Sequence, residues 1–566
     1  MQHSEGARQS IDALLQRDDV AIRRRVLDEY VERGLWTDKS AVDYLDQHVR
    51  ERPEAVCLID EDGERYTFRQ FDEITDHFAL HLLELGFKPG DFLGLQLPTW
   101  SEFFIAMMGC IKVKVLPVNF HLTYRQHELT DILGRTHARG LVVPARFHHF
   151  DYEPLAHEVA KHLPALQHVI VARGPCSTDS IPFGRLTAPI VGADKRVLEP
   201  LRPNGFDPLL TLVSSGTTGK PKLVMHIHNT SLYPGRAYKE MLGLSAADRW
   251  AVIGPVGHST SVSQLFWCML YQGSPIALLS TWNAARACDL FEREGITHAI
   301  GATPLYADIL DLPDIRSRAL QLKLLVYGGA PMPASLVVRL HETFGCDIVP
   351  FYGYSEGTGH TTCRPGTAVE VVASKVGMPL PNAEVRLVAE DGSEPPLGVP
   401  GEFWARGPNI AVGYYADPER TQQLLTEDGW FKSGDMLSLD EEGFYQYSAR
   451  MDDVINRGGQ KIDPKEIEDL LFTHPSVKDA VLVGVPDRRL GAIPCAVIVP
   501  QPGESVTLED LRSFLEAKGV AKWKWPMRLQ LRESIPVNPS GKIMRFALRD
   551  EVAAQLTDEV RRASAT

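Results

Sequence analysis

Residues 214–222 read Ser-Ser-Gly-Thr-Thr-Gly-Lys-Pro-Lys, which places two glycines, four hydroxyls and two lysines within nine positions. Glycine lets backbone N–H groups approach an anion closely. Hydroxyls add rotatable donors, and ammonium groups add positive charge. A run of this kind suits a polyphosphate. Its candidate phosphate-binding residues are Ser214, Ser215, Gly216, Thr217, Thr218, Gly219, Lys220 and Lys222. It is not a G-x-x-x-x-G-K-[ST] loop, because position 214 is serine and Pro221 follows the lysine. Apolar residues at 209–213 and 223–225 predict a strand on each side, so the run is expected at a hairpin tip.

The elements that must hold this loop are those of an α/β chain. Runs such as 93–97 and 141–144 read as strands, and 102–110 as a buried helix, which suggests parallel sheets with crossover helices. Residues 250–285 contain no Asp, Glu, Lys or Arg. There 265–271 is expected as a buried helix and 275–279 as a buried strand. A segment so poor in charge suits the wall of an apolar pocket. His258 at its glycine-rich start reads, by spacing alone, as a satisfied core histidine. Strand-like runs at 384–388 and 401–406, with Asp391-Gly392 marking a turn, predict a small β-subdomain. Beyond residue 453, strands at 480–485 and 495–499 flank a helix at 508–518, which predicts a separate α+β domain. The first forty residues are expected to be helical and charged, with 23–25 on a solvated face.

Composition narrows the function classes. A chain of 566 residues is too long for one core. The net charge of −14 argues against general nucleic-acid binding. Eight scattered cysteines without a C-x-x-C pair suggest reduced thiols and a cytoplasmic protein. No stretch is long and apolar enough to predict a membrane span, and the first residues lack a secretory h-region.

Further motifs follow the loop in order: Tyr327-Gly328-Gly329-Ala330-Pro331, Tyr352-Gly353-Tyr354-Ser355-Glu356-Gly357, Trp430 through Asp435, Arg450-Met451-Asp452-Asp453, Asn456-Arg457-Gly458-Gly459-Gln460-Lys461, and Pro536 through Lys542. In this order and spacing the set resembles the adenylate-forming superfamily of acyl- and aryl-CoA synthetases, adenylation domains and luciferases. The 455–459 run and the 30–36 segment are most similar to stand-alone aryl-acid AMP ligases and to aryl and alicyclic acid–CoA ligases.

The resemblance implies an ATP-dependent ligase with two half-reactions. A carboxylate first forms an acyl-adenylate and releases pyrophosphate; a thiol then takes the acyl group. The implied fold is a large N-terminal domain of α/β sheets plus a small β-barrel-like subdomain (1–449), a hinge (450–453) with Asp452 at its pivot, and a small mobile α+β C-terminal domain (454–566). Thr217 and Glu356 would place Mg²⁺, a hard cation that takes oxygen ligands. Tyr352 would stack on adenine beside Gly329, Ala330 and Pro331, with Gly353 and Ser355 next in the same loop. Asp435 and Arg450 would bind the ribose, and Tyr447 would lie against the nucleoside. Lys542 would bridge the attacking carboxylate and the α-phosphate. Gly458, Gly459 and Lys461 would line the pantetheine tunnel in the second step.

The acid pocket implied by the resemblance comprises His258, Ser259, Thr260, Ser263, Gly328 and Gly353, with His258 as its gate. Dihydroxybenzoate ligases carry Asn and Tyr after that histidine. The smaller Ser259 and Thr260 suggest a roomier pocket and a bulkier aryl, alicyclic or acyl acid. No pantetheine attachment motif is visible, so the acceptor is expected to be free CoA, the phosphopantetheine of a separate carrier protein, or an amine. A homodimer stays open as a further partnership. Two other classes compete: a phosphoryl transferase using 214–222, which would release ADP rather than AMP, and a non-catalytic binder of nucleotide or acyl groups.

Overall fold

The computed structural model describes residues 4–190, 192, 194–214, 221–257, 265–329, 332–457, 460–487, 489–537 and 543–564, with the side chains of 452, 456, 461 and 556–564 outside that set. Two large mixed sheets dominate the first part of the chain. One has eight strands, ordered from Gly413–Tyr414 through Lys222–Ile227, Pro208–Ser214, Leu116–Asn119, Phe92–Leu95, Gly140–Pro144 and His168–Ala172 to Ile181–Pro182. The other has nine, and its centre runs in parallel from Asp347–Tyr352 through Leu324–Gly328, His298–Gly301 and Trp250–Val252 to Ile276–Leu278. Central strands of this kind are buried on both faces, so their sequences run apolar without alternation. Phe92–Leu95 and Gly140–Pro144 are buried at every position. The helix Ser101–Lys112 is buried at every residue but Glu102, as its apolar composition predicts.

The hairpin expectation holds on the residues flanking the loop. Pro208–Ser214 and Lys222–Ile227 pair antiparallel, with Ser214 opposite Lys222. The uncharged segment yields the helix Trp267–Gln272 and the strand Ile276–Leu278. The N-terminal stretch is helical over Glu5–Leu15 and Arg24–Glu32, as expected, with residues 23–25 exposed, but it is not helical between the two. Its second helix begins only at Arg24; Arg23 before it is extended, and the Ala21 N–H donates to the Val412 carbonyl at 2.6 Å. Tertiary pairing there overrides helix propensity.

The β-subdomain is an open four-stranded antiparallel sheet, ordered Glu384–Val388, Gly401–Arg406, Phe431–Leu439, Tyr445–Arg450. The described strands do not close into the expected barrel-like form. In the last part of the chain, Val477–Asp487 and Gly491–Pro500 form a long antiparallel pair with two apolar faces. Ala480, Leu482, Ala496 and Ile498 pack towards Ile467, Leu471, Leu511 and Leu515. Val481, Val483, Cys495 and Val497 point to the opposite cluster, with Leu548 and Val552. The period of two is that of a strand covered on both sides by helices. The apolar clusters change over between Tyr445, in the large core, and Ile455, in the small one. All eight cysteines are free, and no described helix is long and apolar enough to cross a membrane.

Candidate active site

Two neighbouring parallel strands of the nine-stranded sheet end together, with Gly328 in register with Phe351. In α/β sheets, ligands bind beyond such carboxyl ends. The chain is close-packed there. A Cβ on Gly328 would come within 2.8 Å of the Phe351 carbonyl oxygen, and one on Gly353 within 2.6 Å of the Gly359 backbone. Gly329 has φ +82°, which a side chain disfavours. The sequence places glycine where the backbone itself must form the wall.

Tyr352 ends its strand and turns its phenol to the β-subdomain. Its hydroxyl donates to Asp435 Oδ2 at 2.8 Å. Burial, then the adjacent Asp435 charge, push this phenol well above its ordinary value, so it stays a donor. Asp435 lies directly across the ladder from Arg450. The Tyr447 ring stands 6.3 Å from that of Tyr352 at an interplanar angle of 48°. Four residues expected to share one nucleoside therefore meet, although up to 98 positions separate Tyr352 from Arg450.

A second group gathers around Glu356, on the turn after the same strand and only 8% exposed. Its Oε1 accepts from the Tyr414 hydroxyl at 2.7 Å. Lys222, at the foot of the phosphate hairpin, brings Nζ to 3.8 Å from the same oxygen. The Glu356 carbonyl accepts from the Ala411 N–H at 2.6 Å. His226, four residues further along the same strand as Lys222, lies 2.8 Å through Nε2 from the Ser355 carbonyl. Burial pushes its pKa down to about 4, so the ring is neutral near pH 7 and Nε2–H is the donor to that carbonyl. The turn carrying Ser355 and Glu356 is thus tied to the hairpin from below and from the side.

Tyr414 and His226 were not anticipated from sequence. His226 belongs to no short motif, and Tyr414 lies 58 positions from Glu356, so only the folded chain brings them to the site. Several expected residues lie outside the described set: Ser215, Gly216, Thr217, Thr218, Gly219, Lys220, His258, Ser259, Thr260, Ser263, Ala330, Pro331, Gly458, Gly459 and Lys542, and the side chains of Asp452 and Lys461. The flanks of the lysine loop are described, and Val537 pairs antiparallel with Ile543 across its base. Among the described residues, no group of three or more His, Cys, Asp or Glu could hold a metal alone. A cation at Glu356 would share its coordination with substrate phosphate oxygens, as Mg²⁺ commonly does.

Comparison with known proteins agrees with this geometry. Residues 45–415 match the AMP-binding enzyme family model, and 466–542 match the AMP-binding enzyme C-terminal domain. The chain is 31% identical over 534 residues to the medium-chain fatty-acid–CoA ligase of Escherichia coli (strain K12), covering 94% of both proteins. It is 31% identical over 540 residues to a salicylyl-CoA synthase / salicylate adenylyltransferase of Streptomyces sp., covering 94% of this chain and 96% of that relative. The crystal structure of the anthranilate CoA ligase AuaEII in complex with anthranoyl-AMP superposes with a TM-score of 0.82 at 25% identity, over 92% of this chain and 98% of that one. The chain belongs to the AMP-binding enzyme family and is an adenylate-forming acid–thiol ligase.

Proposed function

We propose that this enzyme converts an aryl, alicyclic or medium-length acyl acid, bulkier than 2,3-dihydroxybenzoate, into its CoA thioester through a bound acyl-adenylate. The observation that carries this reading is the meeting of two groups at one sheet edge. Tyr352, Asp435, Arg450 and Tyr447 form a nucleoside end, and Glu356 with Lys222 forms a phosphate end. The small Ser259 and Thr260 support the roomier acid pocket. A relative named for a medium-chain fatty acid supports the acyl part of that range, and one named for salicylate supports an aryl acid without the second ring hydroxyl.

In the first half-reaction an acid oxygen attacks the α-phosphorus of ATP, and pyrophosphate leaves. Asp435 accepts from the ribose hydroxyls while Tyr352 fixes its carboxylate. The 214–222 run holds the outer phosphates, and Lys542 offsets charge on the attacking carboxylate and α-phosphate. Glu356, with Thr217, would hold Mg²⁺, which when bound neutralises phosphate charge. In the second half-reaction the CoA sulfur attacks the acyl carbon, and AMP leaves. His258 would gate that approach, and Gly458, Gly459 and Lys461 would line it. The C-terminal domain, taken as 454–566, would rotate about Asp452 between the two steps. The change of apolar cluster between Tyr445 and Ile455 supports a hinge in that interval.

The test is acid-dependent ATP–pyrophosphate exchange over a panel of aryl, alicyclic and C6–C12 acids, followed by AMP and thioester measurement with CoA. Exchange led by a bulky acid, with thioester formed only when CoA is present, is expected. Best turnover with 2,3-dihydroxybenzoate, or product transferred only to a carrier protein, would replace the substrate or acceptor named here. Asp435→Ala removes a charged acceptor, so the KM for ATP rises roughly ten- to a hundredfold in the exchange assay. An unchanged KM would remove Asp435 from the nucleoside site.

A further inference from the structure

Tyr414 touches the phosphate end of the site at two points. Its hydroxyl donates to Glu356 Oε1 at 2.7 Å, and its ring centroid lies 5.3 Å from Lys222 Nζ. Phenol and carboxylate are both buried, at 5% and 8% exposure. A buried carboxylate without such a donor would be free to change rotamer or to collapse onto the ammonium of Lys222, 3.8 Å away.

The tyrosine is itself held firmly. Its backbone pairs with Val224 on the outer strand of the 208–227 hairpin. Its N–H donates to Thr421 Oγ1 at 2.9 Å, and that hydroxyl donates back to the Tyr414 carbonyl at 3.2 Å. The N-terminal segment clips the same edge: Ala21 N–H donates to Val412, and Ala416 N–H donates to Asp19 Oδ2. Asp19 is in turn bidentate with Arg17 at 2.7 and 2.8 Å. A phenol supported this closely makes a fixed donor rather than a mobile one.

We propose that Tyr414 is a positioning residue of the adenylation step, fixing one oxygen of Glu356 and the ammonium of Lys222 so that the carboxylate is pre-set for the cation that accompanies ATP. The inference rests on the reading of Glu356 as a cation ligand. It adds a residue outside the phosphate-loop, Glu356 and Lys542 motifs, and it gives the N-terminal segment a part in shaping the site.

Calorimetric titration of ATP into the full-length enzyme, in Mg²⁺ and separately in EDTA, tests it without turnover. The wild type is expected to bind ATP more tightly with Mg²⁺. Tyr414→Phe is expected to lose about tenfold of that Mg²⁺-dependent gain while keeping its affinity in EDTA and its melting temperature. In a Glu356→Gln background the same substitution is expected to add nothing, because its route of action is gone. A folded Tyr414→Phe enzyme with the full Mg²⁺ gain overturns the proposal. So does an equal loss in EDTA, which marks a structural role, or an undiminished effect in the Glu356→Gln background. A wild type with no Mg²⁺ gain overturns the cation reading of Glu356 first, and the proposal with it.

Discussion

Lys542→Ala is expected to lower acid-dependent ATP–pyrophosphate exchange by about 10²–10³-fold, the usual loss when one donor to a developing charge is removed. The loss falls on kcat, with ATP affinity near wild type. Negative charge builds on the α-phosphate and the attacking carboxylate only as the new bond forms, so the ammonium stabilises the transition state more than the ground state. Position supports the assignment. Lys542 is the last residue of the C-terminal family match and precedes Ile543, which pairs antiparallel with Val537. The discriminating measurement separates the half-reactions. Thioester formation from supplied acyl-adenylate and CoA should stay within a few-fold of wild type, because no phosphorus–oxygen bond is made there. An equal loss in both halves would mark Lys542 as structural and leave the first step without its cation.

What could be read from the sequence divides along physical lines. The phosphate hairpin was legible because a donor-rich loop between two apolar runs has few other uses, and Ser214 and Lys222 indeed pair across it. Both faces of the Val477–Asp487 strand are apolar and covered, so it was legible as a strand before its partners were known. That Tyr352, Asp435, Arg450 and Tyr447 lie together was legible only as a conjunction of motifs, since Asp435 alone reads as a turn residue. Tyr414 was not legible at all. Its role comes from strand pairing with Val224 and a hydroxyl contact 58 positions away, and neither leaves a local pattern. Residues 21–23, just before the second helix, were misjudged for a related reason. Their charged composition reads as helical, but the Val412 carbonyl, just before the edge strand Gly413–Tyr414, offers the Ala21 N–H a better partner. Pattern reports the local preference; long-range pairing decides the outcome where the two compete.

Arg545→Met is expected to cost the C-terminal domain about 3 kcal/mol, because it strips a buried carboxylate of its counter-charge. Arg545 donates to both oxygens of Glu468, at 2.5 and 2.6 Å, and to the Leu482 carbonyl at 3.1 Å. Glu468 also accepts from the Leu482 N–H, so the pair fastens the helix Pro464–Leu471 and the helix Arg545–Ser564 to one strand. Burial already pushes the Glu468 carboxyl above its ordinary range, against the pull of the guanidinium. Without Arg545 that upward shift grows. A carboxyl whose folded pKa exceeds its unfolded value contributes stability below the unfolded pKa and loses it as pH rises through the folded one. The variant should therefore be closest to wild type near pH 5 and weakest near pH 8. Amide exchange along Val477–Asp487 reads this directly, with protection at pH 8 expected to fall about a hundredfold. Pairing the change with Glu468→Leu should recover most of the loss, since it is the orphaned charge that costs, not the missing bridge. Full protection in Arg545→Met, or a double variant no better than the single, would mean that the pair is not what holds these elements together. Arg545 lies three positions after Lys542 and 3.9 Å from Asp453, so a loosened pair acts on the lysine loop and on the 450–453 segment together. On this account the adenylation rate of Arg545→Met falls further than its thioester-forming rate, and the gap widens as the pH is raised.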